Sequence, residues 1–526
     1  MQLLEAFISV FAPAPMFFIF LGVLLGIVVG AIPGLGGAML IALLLPVTFY
    51  MDSVLALMLL VSIYVGSVSG GLITAIMLKM PGTPSAVMTV LDGYPMAQQG
   101  RAGRALSLGI MASFVGGIIS WLFLALLSPP LADFALKFGP YELFTLVLMA
   151  LVLIATIAEG TLVKGLLIAL FGMAVAMVGP DASSGVMRLT FGVESFSGGF
   201  SLLPVLLGVF VISQIIEDVL KKEVPIQQQG GKLTEFMPSA GDVKKHGPNA
   251  VRSSLIGTWI GVLPGVGSAI AAIVAYTTAK SFSKHPETFG TGEEAGIVAA
   301  EASNNASVNG ALIPLITLGI PGSVIDAILI GALVIHNLQP GPLLFTNSPE
   351  IAYGVIAAAL VANFMMAALM FAGVRPIARI ATISRAYLFP TIIVCCVIGV
   401  YSLSNSVQRL GHDGVRCAGL CLPARRLPGG ALRSGLYPGT PGGEAVAIGP
   451  DALRRQPDAT RHPSDLAVLH RADAGSGALA TGSGPDEEAR RRVTLGRRVT
   501  HQHHQKGVSD EQTARRLRDR QEPRPV

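Results

Sequence analysis

The chain has 526 residues, of which 52% are hydrophobic and 13% charged, with a mean hydropathy of +0.64. Soluble domains carry about 25% charged residues, so this composition excludes an ordinary soluble protein and points to a lipid bilayer. The formal net charge of +5 carries no message about nucleic acid, and no nucleic-acid partner is expected. It averages two unlike segments, since residues 1–407 hold seven arginines and residues 408–526 hold nineteen.

Met1 to Pro15 contains Glu5 and no Lys or Arg. It lacks the basic start of a cleaved signal, so the first apolar run is expected to be retained. A spanning helix needs about 20 mostly apolar residues. In chain order the candidates are 16–49 (interrupted by Pro33-Gly34), 54–80, 105–128, 141–158, 162–179 and 201–219. They continue with 253–279 (interrupted by Pro264-Gly265), 295–336 (interrupted by Pro321-Gly322), 351–374 and 387–404. This predicts an all-α polytopic membrane protein with roughly ten to twelve crossings. Residues 221–252, with Gln227 to Gln229 and several lysines, read as a polar cytoplasmic connector between membrane repeats 1–220 and 253–407. Cys395 and Cys396 lie in an apolar run and read as packing residues, while Cys417 and Cys421 fall in the Arg-rich tail.

The halves resemble each other. Gly30-Ala-Ile-Pro-Gly-Leu-Gly-Gly-Ala38 matches Gly261-Val-Leu-Pro-Gly-Val-Gly-Ser-Ala269. Ser67 to Ile73 matches Ser307 to Ile313, and Met80-Pro81-Gly82-Thr83 matches Ile320-Pro321-Gly322-Ser323. Matched blocks in one order predict an internal duplication. The loop after the first Pro-Gly segment is unbasic (Tyr50, Asp52), and its counterpart carries Lys280 and Lys284. After the second block the pattern reverses: Arg101 and Arg104 stand against Asn337 to Glu350, which has no Lys or Arg. Basic loops favour the cytoplasm, so the repeats are expected to be inverted.

Proline and glycine in mid-membrane free backbone groups that lipid cannot satisfy, so such breaks must be buried in protein or line a cavity. The helix ends there offer N–H groups to an anion and carbonyls to a cation, and secondary transporters place their sites at paired breaks. A kink or tight crossing is the alternative for any one break. The candidate substrate-binding residues are therefore Gly34, Gly36, Gly37, Gly82, Thr83, Ser85, Gly265, Gly267, Ser268, Asn304, Asn305, Gly322 and Ser323. Their amides and hydroxyls suit a carboxylate or a sodium ion and cost less than charges to keep in a membrane, although interhelical hydrogen bonding is the competing use.

Intramembrane charges are few. Glu301 lies four residues before Asn305, on one helix face, and could carry a proton, help hold a cation, or stand at a helix end. With Asn305 and Asp326 it makes up the ion-coupling candidates. Lys79 could meet a substrate carboxylate or snorkel to an interface. Glu159 and Lys164 read as a loop-side pair, and His336 as a helix-end residue rather than a metal ligand. Gly34-Leu-Gly-Gly37 has no strand before it, which excludes a phosphate loop, and neither His-Glu-x-x-His nor Gly-x-Ser-x-Gly occurs. No catalytic residues, metal or cofactor are expected, beyond a coupling Na+ or H+. A membrane enzyme lacks a nucleophile set here, and a non-transporting scaffold leaves the paired breaks unexplained.

With these residues in view, the chain resembles the large permease subunit of the tripartite tricarboxylate transporters, the TctA family. The match rests on Gly30 to Ala38, on Lys79 to Ala86 leading into Asp92-Gly-Tyr-Pro95, and on Gly261 to Ala269. It continues through Glu301 to Ala306 and Gly319 to Gly322 to Gln339-Pro-Gly-Pro342, so that it spans residues 20 to 405. The resemblance implies uptake of citrate or another small carboxylate across the bacterial inner membrane, driven by a cation gradient. It also implies a small membrane subunit (TctB-like) and a periplasmic solute-binding protein (TctC-like) as partners, besides membrane lipid.

Family members continue with further membrane helices, whereas this chain turns polar and Arg-rich after Val407. A cytoplasmic tail, a disordered regulatory segment and a reading-frame shift compete. Codons for Gln408 to Gly419, read one nucleotide later, permit Ser-Val-Trp-Val-Met-Met-Ala-Phe-Gly-Val-Leu-Gly, an apolar run like the family's continuation. A frameshift near Val407 is the expectation, with residues 408–526 forming a disordered tail that has no core and no span. His501 to His504 and Arg490 to Arg492 are then accidents of translation, and the loss of terminal helices would leave this polypeptide inactive.

Overall fold

Apolar length and Pro-Gly interruptions divide the chain into helices largely as expected. The computed structural model describes residues 2–157, 162–181, 184–192, 196–220, 236–380 and 385–404. In chain order the helices are α1 (Gln2–Val10), α2 (Pro13–Gly30), α3 (Gly37–Thr48), α4 (Ser53–Met77), α5 (Val87–Gln98), α6 (Ala102–Ala135), α7 (Pro140–Ile157) and α8 (Leu162–Ala176). They continue with α9 (Leu202–Leu206), α10 (Ser213–Leu220), α11 (Ala240–Val262), α12 (Gly267–Ser281), α13 (Glu294–Leu318), α14 (Val324–Ile335), α15 (Leu343–Asn347), α16 (Pro349–Ile380) and α17 (Arg385–Ser404). A π-helical turn, Leu207–Ile212, joins α9 to α10. Among the described residues the strands are a two-residue antiparallel pair, β1 (Gly179–Pro180) and β2 (Met187–Arg188).

Among the described residues, five helical stretches are long and apolar enough to cross a membrane: Pro13–Gly30, Ser53–Met77, Ala102–Ala135, Leu202–Leu220 and Pro349–Val374. The all-α polytopic class therefore holds. The described residues belong to one compact unit, Met1–Gly439. Residues 405–526, with the expected tail and frameshift, lie outside the described residues, as do 221–235 of the connector and Glu159.

Two boundaries differ from expectation. The segment 221–252 reads as a connector by composition, yet α11 is helical from Ala240. A capping box explains the start: Ser239 Oγ accepts from Asp242 N at 3.2 Å, and Asp242 Oδ2 accepts from Ser239 N at 2.7 Å. Helix α5 was not among the expected segments, because its hydropathy is interrupted by Asp92, Gly93 and Pro95.

Helices α4 and α13 form the centre, with α4 buried from Ala56 to Ile76 and α13 from Gly296 to Thr317. Each is paired through glycines. A Cβ on Gly26 would strike the carbonyl of Ile63, one on Gly30 that of Ser67, and one on Gly70 that of Ile27, so α2 and α4 touch backbone to backbone. A Cβ on Gly257 would strike the carbonyl of Ser303, one on Gly261 that of Ser307, and one on Gly310 that of Thr258, which joins α11 to α13. Small residues permit such approach where apolar burial gives no net drive between helices in lipid. The two sets of contacts keep the register of the Pro-Gly blocks.

The loops gather by charge. Gln99 Nε2 donates to the carbonyl of Thr291 at 2.9 Å, and Arg101 pairs with Glu294 at 2.8 Å. Arg104 bonds Asp242 and lies 3.0 Å from Glu294, which also receives Lys245 at 2.9 Å and has His246 Nε2 at 3.1 Å. Asp242, Lys245 and His246 stand at the polar N-terminal end of α11 and Glu294 at that of α13, while Arg101 and Arg104 come from the start of α6. The hydrogen bonds from Arg104 hold the Asp242 carboxyl well below the usual carboxylate range, and those of His246, Arg104 and Lys245 do the same for Glu294. Nearby, Asp92 Oδ1 accepts from the backbone N–H groups of Gly290 (2.7 Å), Gly292 (3.0 Å) and Glu293 (2.9 Å). Its Oδ2 accepts from the Tyr276 hydroxyl at 2.8 Å. The unbasic loops meet elsewhere, with Ser53 Oγ 3.3 Å from Nδ1 of His336, the C-cap of α14.

Candidate substrate and ion site

Helix α13 carries a polar run, Glu301 to Asn309, through the interior of the protein. Its start is capped by Glu293, whose carboxylate accepts from Ala295 N, and its end is set by Gly319 at φ 70°, a left-handed turn that glycine adopts without strain. Glu301 therefore lies within the helix rather than at its end, with no exposed surface. Thr89 Oγ1 of α5 donates to Glu301 Oε1 at 2.5 Å, and Ser113 Oγ of α6 to Oε2 at 3.2 Å. Asn305 shares that face as the spacing predicts: its Nδ2 approaches the Glu301 carbonyl at 3.4 Å, and its Oδ1 accepts from Ser69 Oγ of α4 at 2.7 Å. Asn309 Nδ2 donates to the Gly117 carbonyl and to Ser120 Oγ, both at 2.9 Å. Asn304 differs. Its amide is wholly buried and reaches toward the Glu301 carboxylate, but among the described residues neither its nitrogen nor its oxygen has a partner within 3.5 Å. A buried amide left unpaired costs about 1–3 kcal/mol, so a frame that keeps one unpaired tolerates a real penalty.

The four helix breaks pair within each half. After α2 the chain turns at Gly34 (φ 91°) and restarts at Gly37, and after α4 it turns at Lys79 (φ 57°). Gly82 lies so close beneath the Gly30 carbonyl and Thr74 that a Cβ would collide with both. Thr83 Oγ1 and Ser85 Oγ follow, 2.9 Å apart. In the second half Gly265 (φ 78°) and Gly267 (φ 73°) shape the turn between α11 and α12, and Gly265 N donates to the Gly322 carbonyl at 3.0 Å. The last break crosses between halves: Ser323 Oγ is 3.0 Å from the Tyr64 hydroxyl of α4, and a Cβ on Gly37 would meet Ser67 and Ile325.

The expected site residues are thus not one cluster. Thr83 with Ser85, Asn305 with Ser69, Gly265 with Gly322, and Ser323 with Tyr64 are brought together. Gly36 and Gly267 face open space, where a Cβ would meet nothing within 4 Å, and Ser268 is half-buried at the start of α12. Asp326 is wholly buried with both carboxylate oxygens unpartnered. Lys79 is exposed, its Nζ 5.4 Å from the centroid of the Tyr94 ring. Sequence reasoning missed Thr89, Ser113 and Tyr64, which come from other helices and carry no local signal. Among the described residues no group of three or more His, Cys, Asp or Glu side chains stands together to hold a metal. The arrangement offers amides, hydroxyls and helix N-termini to an anion, and buried carboxylates to a cation.

A family model described as the tripartite tricarboxylate transporter TctA family matches residues 16–412. The chain is 36% identical over 403 residues to an uncharacterized 52.8 kDa protein in the TAR-I ttuC' 3' region of Agrobacterium vitis, covering 76% of this chain and 80% of that one. It is 35% identical over 150 residues to an uncharacterized protein in the TAR-II ttuC' 3' region of the same organism, covering 28% of this chain and 62% of that one. No solved structure matches.

Proposed function

Since the chain belongs to the tripartite tricarboxylate transporter TctA family, a family of multi-pass membrane transporters and not of enzymes, we propose that it is the permease subunit of a secondary transporter. It imports citrate or a related small carboxylate with a coupling cation. It sits in the bacterial inner membrane and works with a small membrane subunit and a periplasmic solute-binding protein, the other two members that a tripartite system requires.

The observation that carries this reading is the unpaired Asn304 amide on a buried polar helix. An amide gives a carboxylate an N–H donor and stays neutral in lipid, and a close acceptor compensates its desolvation better than its long approach to Glu301 does. Thr83 and Ser85, with the freed N–H groups at the starts of α3 and α12, are the further donors of this reading. Glu301, held by two hydroxyls, and Asp326 are the coupling carboxylates. The gathering of Arg101, Arg104 and Lys245 at one set of loops and the pairing of Ser53 with His336 at another support inverted repeats, with the basic end cytoplasmic. We read the segment after Val407 as out of frame; resequencing that finds no lost or gained base overturns this.

Labelled citrate and other carboxylates are to be offered to vesicles holding the chain, with its frame restored after Val407, together with both partners. Uptake should need a cation gradient, and flux independent of any gradient defeats the mechanism. Asn304→Leu should abolish uptake while the protein keeps or gains thermal stability, because an uncompensated polar group has been removed. Loss of uptake together with loss of fold would make Asn304 a structural residue.

A further inference from the structure

Two buried aspartates occupy the same position in their helices, and they behave differently. Asp242 is the third residue of α11 and completes a capping box, with its carboxylate bonded to the N–H and hydroxyl of Ser239 and to Arg104. Asp326 is the third residue of α14, behind the N-cap Ser323. Ser323 Oγ accepts from Asp326 N only at 3.4 Å, and although the Ser323 hydroxyl and the N–H groups of Ser323 and Asp326 face the carboxylate, among the described residues neither of its oxygens has a partner within 3.5 Å. The hydroxyl that would complete the cap is turned to Tyr64 instead, at 3.0 Å. Asp326 is 0% exposed and Tyr64 2%. Among the described residues no Lys, Arg or His is paired with this carboxylate. Glu301, another wholly buried acid, differs again, since each of its oxygens receives a hydroxyl.

We infer that Asp326, Ser323 and Tyr64 form a binding site for a monovalent alkali cation of sodium size, separate from Glu301 and from the carboxylate-binding amides. A lone carboxylate in a low-dielectric interior needs a compensating charge, and a single negative charge balances a monovalent ion where a divalent one would leave an excess. The donors are all oxygens, which suits a hard cation. They sit at the break where α13 ends at Leu318 and α14 begins at Val324. Tyr64 brings a ligand from the first half, so that the ion bridges α4 and α14.

This inference deepens the cation coupling proposed above but does not depend on the carboxylate, so it is tested without transport. The purified full chain in detergent is melted at constant ionic strength as choline chloride is replaced by NaCl. Saturating NaCl should raise the melting temperature by about 4 °C or more, as binding to the folded state alone demands. Asp326→Asn should fold and lose the rise, and Tyr64→Phe should need about tenfold more NaCl to reach half of it. Equal melting in choline and sodium overturns the site, as does a rise that survives Asp326→Asn. A rise that acid produces equally without sodium assigns a proton and overturns it too. If Asp326→Asn does not fold, Tyr64→Phe and Ser323→Ala decide: an unchanged sodium midpoint in both refutes the assignment. Carboxylate uptake failing while the sodium response holds would overturn the proposed function and leave this site standing.

Discussion

Helices α2 and α4 meet through Gly26, Gly30 and Gly70, and α11 and α13 through Gly257, Gly261 and Gly310, with backbone against backbone in each pair. Aligned by their Pro-Gly blocks, the pairs also turn alike, Gly34 and Gly265 at positive φ in one break and Lys79 and Gly319 in the other. The polar groups on these frames do not correspond. Val61 stands where the second half has Glu301, Tyr64 where it has Asn304, and Ala86 where it has Asp326. Ser67 with Ser307 and Thr83 with Ser323 keep a hydroxyl in both. Backbone contact leaves no room for substitution, whereas the side chains between contacts can diverge, so each half brings different chemistry to a shared geometry.

The largest effect should come from breaking the shared frame. Gly30→Val and Gly261→Val would each drive a side chain into a carbonyl and cost about 3 kcal/mol or more, read as loss of monodisperse protein in detergent. Gly36→Ala, at φ −99° with nothing within 4 Å of its Cβ, should stay within about 0.5 kcal/mol. If Gly30→Val were tolerated and Gly261→Val were not, the two frames would not be equivalent.

A smaller effect concerns the basic end alone. Arg104 is 15% exposed and faces two carboxylates, so Arg104→Ala should lower stability by about 2–3 kcal/mol in a denaturant or thermal melt. The folded-state pKa values of Asp242 and Glu294 are depressed, so their contribution is complete above the ordinary carboxylate range near pH 4. It is lost as pH falls below that range. Arg104→Ala should flatten this acid limb, and an acid limb of unchanged steepness would mean that other carboxylates govern it.

The smallest effect sharpens the turn comparison. Lys79 holds a left-handed conformation that its counterpart Gly319 adopts without cost. Lys79→Gly should therefore raise stability by about 1 kcal/mol, and Lys79→Ala should not. Should Lys79→Gly also end uptake, the ammonium is needed for function and its strained backbone is tolerated for that reason.

Much of this was legible before the fold. Pro33-Gly34, Pro264-Gly265 and Pro321-Gly322 are local signals, and helices stop where they occur. The four-residue spacing of Glu301 and Asn305 likewise places them on one face, because a helix sets that relation alone. Tyr64, Thr89 and Ser113 were not legible as partners, since each belongs to a different helix and only tertiary packing brings it in. The start of α11 was misjudged for another reason. Its composition is polar, and the Ser239-x-x-Asp242 cap outweighed hydropathy in setting the boundary.

The Asp92 clasp has a consequence for how the chain is made. Its three backbone donors follow it by 198, 200 and 201 residues. While the first half is being synthesised and inserted, Asp92 has none of them, and an uncompensated carboxylate stays at water's edge. Helix α5 can therefore settle only after Tyr276 and the loop to Glu293 have emerged, so the first half of the protein finishes folding by waiting for the second.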